Sequence, residues 1–381
     1  MSNAKNEFAN NPVVAIIGFG NVGKIHEAAY PRLGCDIVIV DPTAAAGALS
    51  DIRMIPAKLR PDLWVVATPT RDHLQTMKRI FERDAHARVL CEKPICEPTQ
   101  IDTALAMIRE RPGQIKINSL YRHSEAVAML ARRLGGRTID SVTIEFAKNR
   151  YEDASKGRFV DLTLGALGYE WFHIATILSM LLREADFRSY VEHDQRFSLV
   201  ECERYVFSSF RERMTTASGI SLDLATSVDG IIHHPLPGEI GSTLAADYQS
   251  ALSARNIVHG SSVRHRFVKV DAAGSEFYLI FHPFDASVPD AKNQHLLLER
   301  TAGQLTSEVI GDNHFEAAAR HSLSMVASEV IHRHLHIDLE IQNKIGRLAS
   351  IANSRLDRTR VAASDRPSAQ QDHYRDTLSV A

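Results

Sequence analysis

The apolar run Val13–Ile17 (VVAII) leads straight into Gly18-Phe19-Gly20-Asn21-Val22-Gly23, and a helical pattern follows from Gly23 to Leu33. A strand, a G-x-G-x-x-G turn and a helix in that order limit the fold more than any other feature of the chain. Gly18 permits the tight turn, Gly20 lets the backbone approach a pyrophosphate, and Gly23 lets helix and strand pack closely. The helix N-terminus then offers free N–H groups and the positive end of its dipole to phosphates. The next apolar run ends at Asp41. A carboxylate there accepts from a ribose 2′-OH and repels a 2′-phosphate, which favours NAD over NADP. The competing reading is a glycine turn beside an incidental surface Asp41.

Further apolar runs of strand length recur at Asp36–Val40, Leu63–Ala67, Arg88–Cys91 and Gln114–Asn118. Most are separated by helix-length segments, among them His73–Ala85 and Thr99–Glu110. Continuous apolar strands alternating with helices predict an α/β, doubly wound parallel sheet of Rossmann type. The pattern changes near residue 120. Ser124–Leu134 and Leu162–Leu182 read as helices, and Ser141–Phe146 alternates like a half-buried strand. Phe197–Val200, Tyr205–Phe210, Ser221–Thr226, His265–Val270 and Glu276–Phe281 alternate too, which predicts an antiparallel or mixed sheet. Helical patterns return at Asp312–Leu335 and Glu340–Arg355. The expected domains are 1–122 (dinucleotide-binding) and 123–360 (α+β), with a polar, mobile tail over 361–381.

Composition excludes other classes. A chain of 381 residues exceeds what one core usually holds, which argues for two domains. Lys and Arg number 44 against 46 Asp and Glu, so no basic field exists for nucleic acid or an anionic membrane. The four cysteines (Cys35, Cys91, Cys96, Cys202) are too scattered for a disulfide scaffold and read as reduced thiols. Met1–Pro12 is polar, and the most apolar helix pattern, Ile174–Leu182, is interrupted by Thr176 and Ser179. A soluble, cytoplasmic protein is expected.

Two further strand ends carry motifs. Ala67-Thr68-Pro69-Thr70-Arg71-Asp72-His73 closes the third apolar run, and Cys91-Glu92-Lys93-Pro94 closes the fourth. Together with GFGNVGKIH before them, they resemble the glucose–fructose oxidoreductase / inositol dehydrogenase / MocA family. The resemblance is specific over residues 13–125, with Asn118–Ser124 (NSLYRHS) also similar, and is coarse from 183 to 310. It implies a C-terminal α+β domain with an open, mostly antiparallel sheet that builds homodimers or homotetramers. It also implies NAD(P)-dependent oxidation or reduction of a hydroxyl or carbonyl on a sugar or cyclitol, with no metal.

Carried over by position, the resemblance implies that Lys93 lies near the nicotinamide and the reacting hydroxyl, behind a cis bond to Pro94. An ammonium there stabilises a developing alkoxide or relays a proton. Thr68, Pro69, Thr70 and His73 would line the cofactor, and Glu92 would contact the nicotinamide side. Asn118, Tyr121, Arg122 and Tyr169 are expected substrate contacts, with Arg122 equally readable as a solvated charge at a helix start. Arg150 is a weaker candidate.

One motif departs from the family. Where the family has D-x-G-x-H-x-x-D, this chain has Ala166, Gly168, Glu170 and His173. Glu170 and His173 share a helix face. Either acts as acid/base beside Lys93 while the other orients it, or Glu170 binds a cationic group such as an amino sugar, or catalysis has been lost. An imidazole suits proton transfer near neutral pH. His332, His334 and His336 lack a third ligand signature, and His233-His234 reads as turn chemistry, so no metal site is assigned. The leading expectation is an NAD-dependent oxidoreductase acting on a sugar, cyclitol or amino sugar. The alternatives are a reductase of an imine or non-sugar carbonyl and a decayed dinucleotide-binding scaffold.

Overall fold

The computed structural model describes residues 11–43, 47–157, 164–194, 196–200, 207–230, 264–284, 289–324 and 329–364. The expected turn at His233-His234 and most of the expected tail lie outside them. The chain divides into two compact units, one of residues 1–118 with 315–336 and one of 119–314 with 337–381. Among the described residues, no helix is long and apolar enough to cross a membrane.

The first unit holds five parallel strands: β1 (Val13–Ile17), β2 (Asp36–Val40), β3 (Leu63–Val66), β4 (Val89–Cys91) and β5 (Ile115–Ile117). Their order is β2-β1-β3-β4-β5. β1, β3, β4 and β5 are almost wholly buried, as a parallel sheet with both faces covered requires. Helices α1 (Asn21–Ala29), α2 (His73–Arg83) and α3 (Ile101–Glu110) cross between strands. In α2 the residues Leu74, Met77, Ile80 and Phe81 form the buried stripe. Burying side chains such as Val14, Ile16 and Val65 contributes about 1.5–3 kcal/mol apiece. The strand order reverses between β1 and β3, and ligands bind at that point outside the strand C-termini.

The second unit holds α4 (Glu125–Leu134), β6 (Ile139–Lys148), α5 (Arg150–Ser155), α6 (Leu167–Leu181), α7 (Glu184–Glu192) and β7 (Arg196–Val200). Strands β8 (Ser209–Thr215), β9 (Ser221–Ser227), β10 (Arg264–Ala272), β11 (Ser275–Phe281), β12 (Gln294–Thr301) and β13 (Gln304–Gly311) follow. The eight strands run β13-β12-β11-β10-β6-β9-β8-β7, antiparallel except for the β6–β9 pair. Two-residue turns, Ala273-Gly274 and Ala302-Gly303, join β10 to β11 and β12 to β13. All four turn residues have positive φ, the geometry a tight hairpin demands. Helix α6 is buried nearly all round, which explains its almost unbroken apolar sequence.

Two expectations shift. The boundary falls after Asn118, because Ser119 and Arg122 are anchored in the second unit: Ser119 Oγ lies 3.0 Å from Thr176 Oγ1, and Arg122 pairs with Asp338. The helix expected over Asp312–Leu335 is two helices, α8 (His314–Leu323) and α9 (Glu329–Ser364). From Phe315 the chain returns to the first unit, where Ala319 joins the core of Val14, Ile16 and Val65. Tyr30 and Ser322 share a hydrogen bond there at 3.0 Å.

Candidate active site

One candidate group lies at the switch point of the parallel sheet. Gly18 has φ +95°, and a Cβ there would stand 2.7 Å from the backbone of Ala67 and Thr68. Gly18 therefore lets β1 and β3 end side by side. A Cβ on Gly23 would come within 2.2 Å of the Gly18 carbonyl oxygen, so Gly23 sets how closely α1 approaches the turn. A Cβ on Gly20 would meet nothing within 4 Å. The Gly20 backbone therefore faces open space just ahead of the α1 N-terminus. Phe19 and Val22 are half-buried, and Asn21 is exposed at the start of α1.

Asp41 organises this turn. Its Oδ2 accepts from the Phe19 N–H at 2.6 Å, and its Oδ1 accepts from the Thr43 N–H and hydroxyl, both at 2.7 Å. Thr68 Oγ1, at the end of β3, is buried with no hydrogen-bond partner among the described residues. Pro69 is exposed and Thr70 half-buried. An open backbone cradle, a helix N-terminus, a carboxylate after β2 and an unpaired hydroxyl together fit a dinucleotide.

His73 is buried beneath the loops, with Nε2 2.8 Å from the Thr68 carbonyl and Nδ1 2.9 Å from the Pro94 carbonyl. It braces the two motif loops against each other. A neutral imidazole has one N–H for these two acceptors. Burial lowers the pKa of this ring most, with the Thr68 carbonyl and Glu92 pulling the other way. Glu92 is also buried. His26 Nε2 donates to its Oε1 at 2.8 Å and Asn118 Nδ2 donates at 2.6 Å. Burial pushes the Glu92 carboxyl up, but His26, Asn118 and Lys93 outweigh it and the net shift is down. Asn118 thus holds Glu92. Lys93 follows, half-buried, and its bond to Pro94 is cis. Cys35, Cys91 and Cys96 are free and buried.

A second candidate group lies in the eight-stranded unit. Register aligns Phe146 of β6, Arg266 of β10, Phe281 of β11 and His295 of β12 in one row across the sheet. Laterally paired residues share a face. Tyr121 packs on this row, with ring centroids 5.4 Å from Phe146 and 5.0 Å from Phe281. Its hydroxyl accepts from Arg266 Nη1 at 2.7 Å. Glu170, near the start of α6, is almost fully buried between two guanidiniums: Arg150 Nη2 reaches Oε1 and Arg266 Nη2 reaches Oε2, each at 2.6 Å. Arg150 also stacks over the Tyr169 ring at 4.9 Å. The buried His173 ring meets Tyr121 edge-on at 5.0 Å.

Glu170, His173, Tyr121 and Tyr169 therefore converge. Arg122 stands apart in a buried ion pair with Asp338 at 2.5 Å, which overturns its reading as a solvated charge.

Sequence reasoning missed Lys148, Arg264 and Arg266. Lys148 and Arg264 are paired partners on β6 and β10, and Asp153 bridges Lys148 and Arg150. The signal was Arg264 and Arg266 at i, i+2 in one strand, which puts two cations on the same face. Arg264 has no carboxylate partner among the described residues, and its pKa is lowered to about 10 by Arg266 first and burial second. Among the described residues, Lys148, Arg150 and Arg266 pair with Asp153 and Glu170, and Arg264 lies beside them.

Residues 13–119 match the family model of the GFO/IDH/MocA oxidoreductases, an oxidoreductase family with an NAD-binding Rossmann fold. Solved structures share the fold over both units. UDP-N-acetylglucosamine 3-dehydrogenase GnnA from Acidithiobacillus ferrooxidans is 15% identical with a TM-score of 0.62, covering 90% of this chain and 98% of that one. KijD10, a 3-ketoreductase from Actinomadura kijaniata in complex with TDP-benzene and NADP, is 15% identical with a TM-score of 0.60, covering 89% and 96%. An inositol dehydrogenase homolog from Azotobacter vinelandii, complexed with NAD+, is 17% identical with a TM-score of 0.58, covering 94% and 98%. No curated protein sequence matches the chain.

Proposed function

We propose that this chain, whose residues 13–119 carry the NAD-binding Rossmann fold of the GFO/IDH/MocA oxidoreductase family, acts on a secondary alcohol or ketone of a sugar or cyclitol. Bound NAD would supply the hydride acceptor or donor. The observation that carries the reading is the cradle at Gly20, open to 4 Å, beside the unpaired Thr68 hydroxyl and the Asp41 carboxylate. Backbone N–H groups at the α1 N-terminus would hold the diphosphate. Asp41 supports NAD over NADP through repulsion of a 2′-phosphate. Thr68 and Thr70 would contact the cofactor directly, with His73 and Glu92 fixing the loops that present it.

Lys93 would stabilise negative charge on the reacting oxygen through its Nζ. His173 is favoured over Glu170 as the proton carrier. Protonating Glu170 would break two buried ion pairs, whereas an imidazole nitrogen exchanges protons near neutral pH. Glu170 would then be a positioning residue that sets Arg150 and Arg266. Its charge is already matched, which weakens the case for a cationic amino-sugar substrate. The excess of cations around Arg264 favours a substrate with an anionic group instead. KijD10 is in complex with TDP-benzene and GnnA is named for a UDP-sugar, both compounds of that kind.

A fluorescence titration with NADH and NADPH tests the cofactor assignment. Turnover of neutral, acidic and amino sugars and cyclitols, followed by nicotinamide absorbance, tests the substrate. Tighter NADH binding and preference for acidic compounds are expected. Faster turnover of amino-cyclitols would remove the charge argument, and dinucleotide binding with no turnover would favour a decayed scaffold.

A further inference from the structure

Two cations stand opposite each other in the eight-stranded sheet. β6 and β10 pair Lys148 directly with Arg264, on the face that carries Phe146 and Arg266 two residues further along. Like charges set opposite each other on neighbouring strands destabilise a sheet. Arg266 adds a third positive charge to that face from the same strand as Arg264. A bound anion would relieve this repulsion.

The three cations differ in what already holds them. Lys148 Nζ donates to both Asp153 oxygens, at 2.8 and 2.7 Å. Arg266 is buried and divides its donors between Glu170 and the Tyr121 hydroxyl. Arg264 is half-buried and has no hydrogen-bond or ion-pair partner among the described residues. Glu170 attracts it, but Arg150 and Arg266 occupy the two oxygens of that carboxylate. Arg266 and burial lower the Arg264 pKa only to about 10, so the guanidinium is charged at neutral pH.

The ligand's charge follows. One uncommitted guanidinium matches one negative charge, and its planar fork of N–H donors fits a carboxylate through two parallel hydrogen bonds. A nucleotide diphosphate would bring a second charge with no open cation to meet it, which is costly in a half-buried place. Arg264 also acts on the residues assigned to the reaction: its charge reaches Tyr121, whose ring meets His173 edge-on at 5.0 Å.

We propose that Arg264 is the specificity-determining residue of this group and that the substrate is a sugar acid whose carboxylate it holds. The proposal rests on the oxidoreductase reading above and narrows its anionic group to a carboxylate. Lys148, kept in place by Asp153, adds its charge from the facing strand. A neutral sugar leaves the Lys148–Arg264 repulsion unrelieved.

The test reads binding and turnover separately on the full chain with NADH present. Calorimetry compares hexuronates and aldonates with their neutral parent sugars and with UDP- and TDP-sugars. The acids should bind about tenfold or more tightly than the neutral parents. Arg264→Gln should erase that difference with NADH affinity unchanged. It should not lower Tm, because it removes a cation that faces like charges. Arg264→Lys keeps the charge without the fork and should recover part of the affinity. In turnover, Arg264→Gln should raise KM for the acids more than it lowers kcat. Absence of acid binding, acid binding that Arg264→Gln leaves unchanged, an equal loss for neutral sugars, a lower Tm in Arg264→Gln, or tighter binding of the nucleotide sugars would each overturn the proposal. Arg264-dependent acid binding in a chain that turns over no sugar would uphold the carboxylate site and remove the oxidoreductase reading instead.

Discussion

Arg266 Nη2 stands 2.6 Å from Glu170 Oε2, and its Nη1 stands 2.7 Å from the Tyr121 hydroxyl. One guanidinium thus joins a strand residue to the start of α6 and to the turn after β5. Arg150 completes the clamp on the other Glu170 oxygen. Removing the carboxylate leaves two buried cations facing each other. Glu170→Gln should therefore lower stability by about 3–5 kcal/mol, read as a fall in the urea midpoint at constant m. His173→Asn should leave the midpoint close to wild type yet lower turnover about 10²–10⁴-fold. A Glu170→Gln protein that unfolds at the wild-type midpoint would rule out the clamp as a stabilising element.

Gly20 and Gly23 separate folding from cofactor binding. Gly20→Ala adds a methyl where the protein has no atom within 4 Å, so the thermal midpoint should hold. The same methyl would occupy the space a diphosphate needs, and NADH affinity should fall by roughly tenfold or more, or about 1.4 kcal/mol. Gly23→Ala drives its methyl to 2.2 Å from the Gly18 oxygen and should cost stability and binding together. Equal NADH affinity in wild type and Gly20→Ala would place the dinucleotide elsewhere.

Asp41 has two duties that one variant can part. Its Oδ2 takes the Phe19 N–H, and its charge is argued to exclude a 2′-phosphate. Asp41→Asn keeps one of the two acceptor oxygens, turns an NH2 toward either the Phe19 or the Thr43 N–H, and removes the charge. Tm should fall by a few degrees, and the ratio of NADPH to NADH dissociation constants should fall by about tenfold. A ratio that stays fixed would mean that Asp41 serves the loop alone.

The parallel sheet was legible because its information is local. Each strand is a short apolar run, and the glycines that shape the turn sit beside one another in sequence. The return of residues 315–336 to that unit was not legible, because α8 carries an ordinary amphipathic pattern with no mark of which core it joins. Strands β12 and β13 escaped for a related reason. The first has only a brief Leu296–Leu298 run, and the second is an edge strand that is mostly exposed. In the site, Glu170 was found by motif position, but its environment was not. Arg150 and Arg266 lie 20 and 96 residues away in sequence, and only pairing of β6 with β10 brings them to one carboxylate.

Lys148 gives that cation cluster a pH signature. Burial is the main cause that pulls its ammonium from 10.5 down to about 8, with Arg150 and Arg264 adding and Asp153 opposing. Below pH 8 both folded and unfolded chains carry the proton, and the folded chain bears the full penalty of the buried charge. Between about 8 and 10.5 the folded chain has released it while the unfolded chain keeps it. The unfolded state then binds more protons, so this group makes stability rise with pH across that window. Lys148→Met should flatten that rise in urea midpoints measured across it. The same titration acts on binding. An acidic substrate should show a KM that climbs as pH passes 8 in the wild type, because one attracting charge is lost. Lys148→Arg keeps its charge through that range and should hold KM level. A wild-type KM that stays flat for acidic substrates through pH 8 would take Lys148 out of substrate recognition.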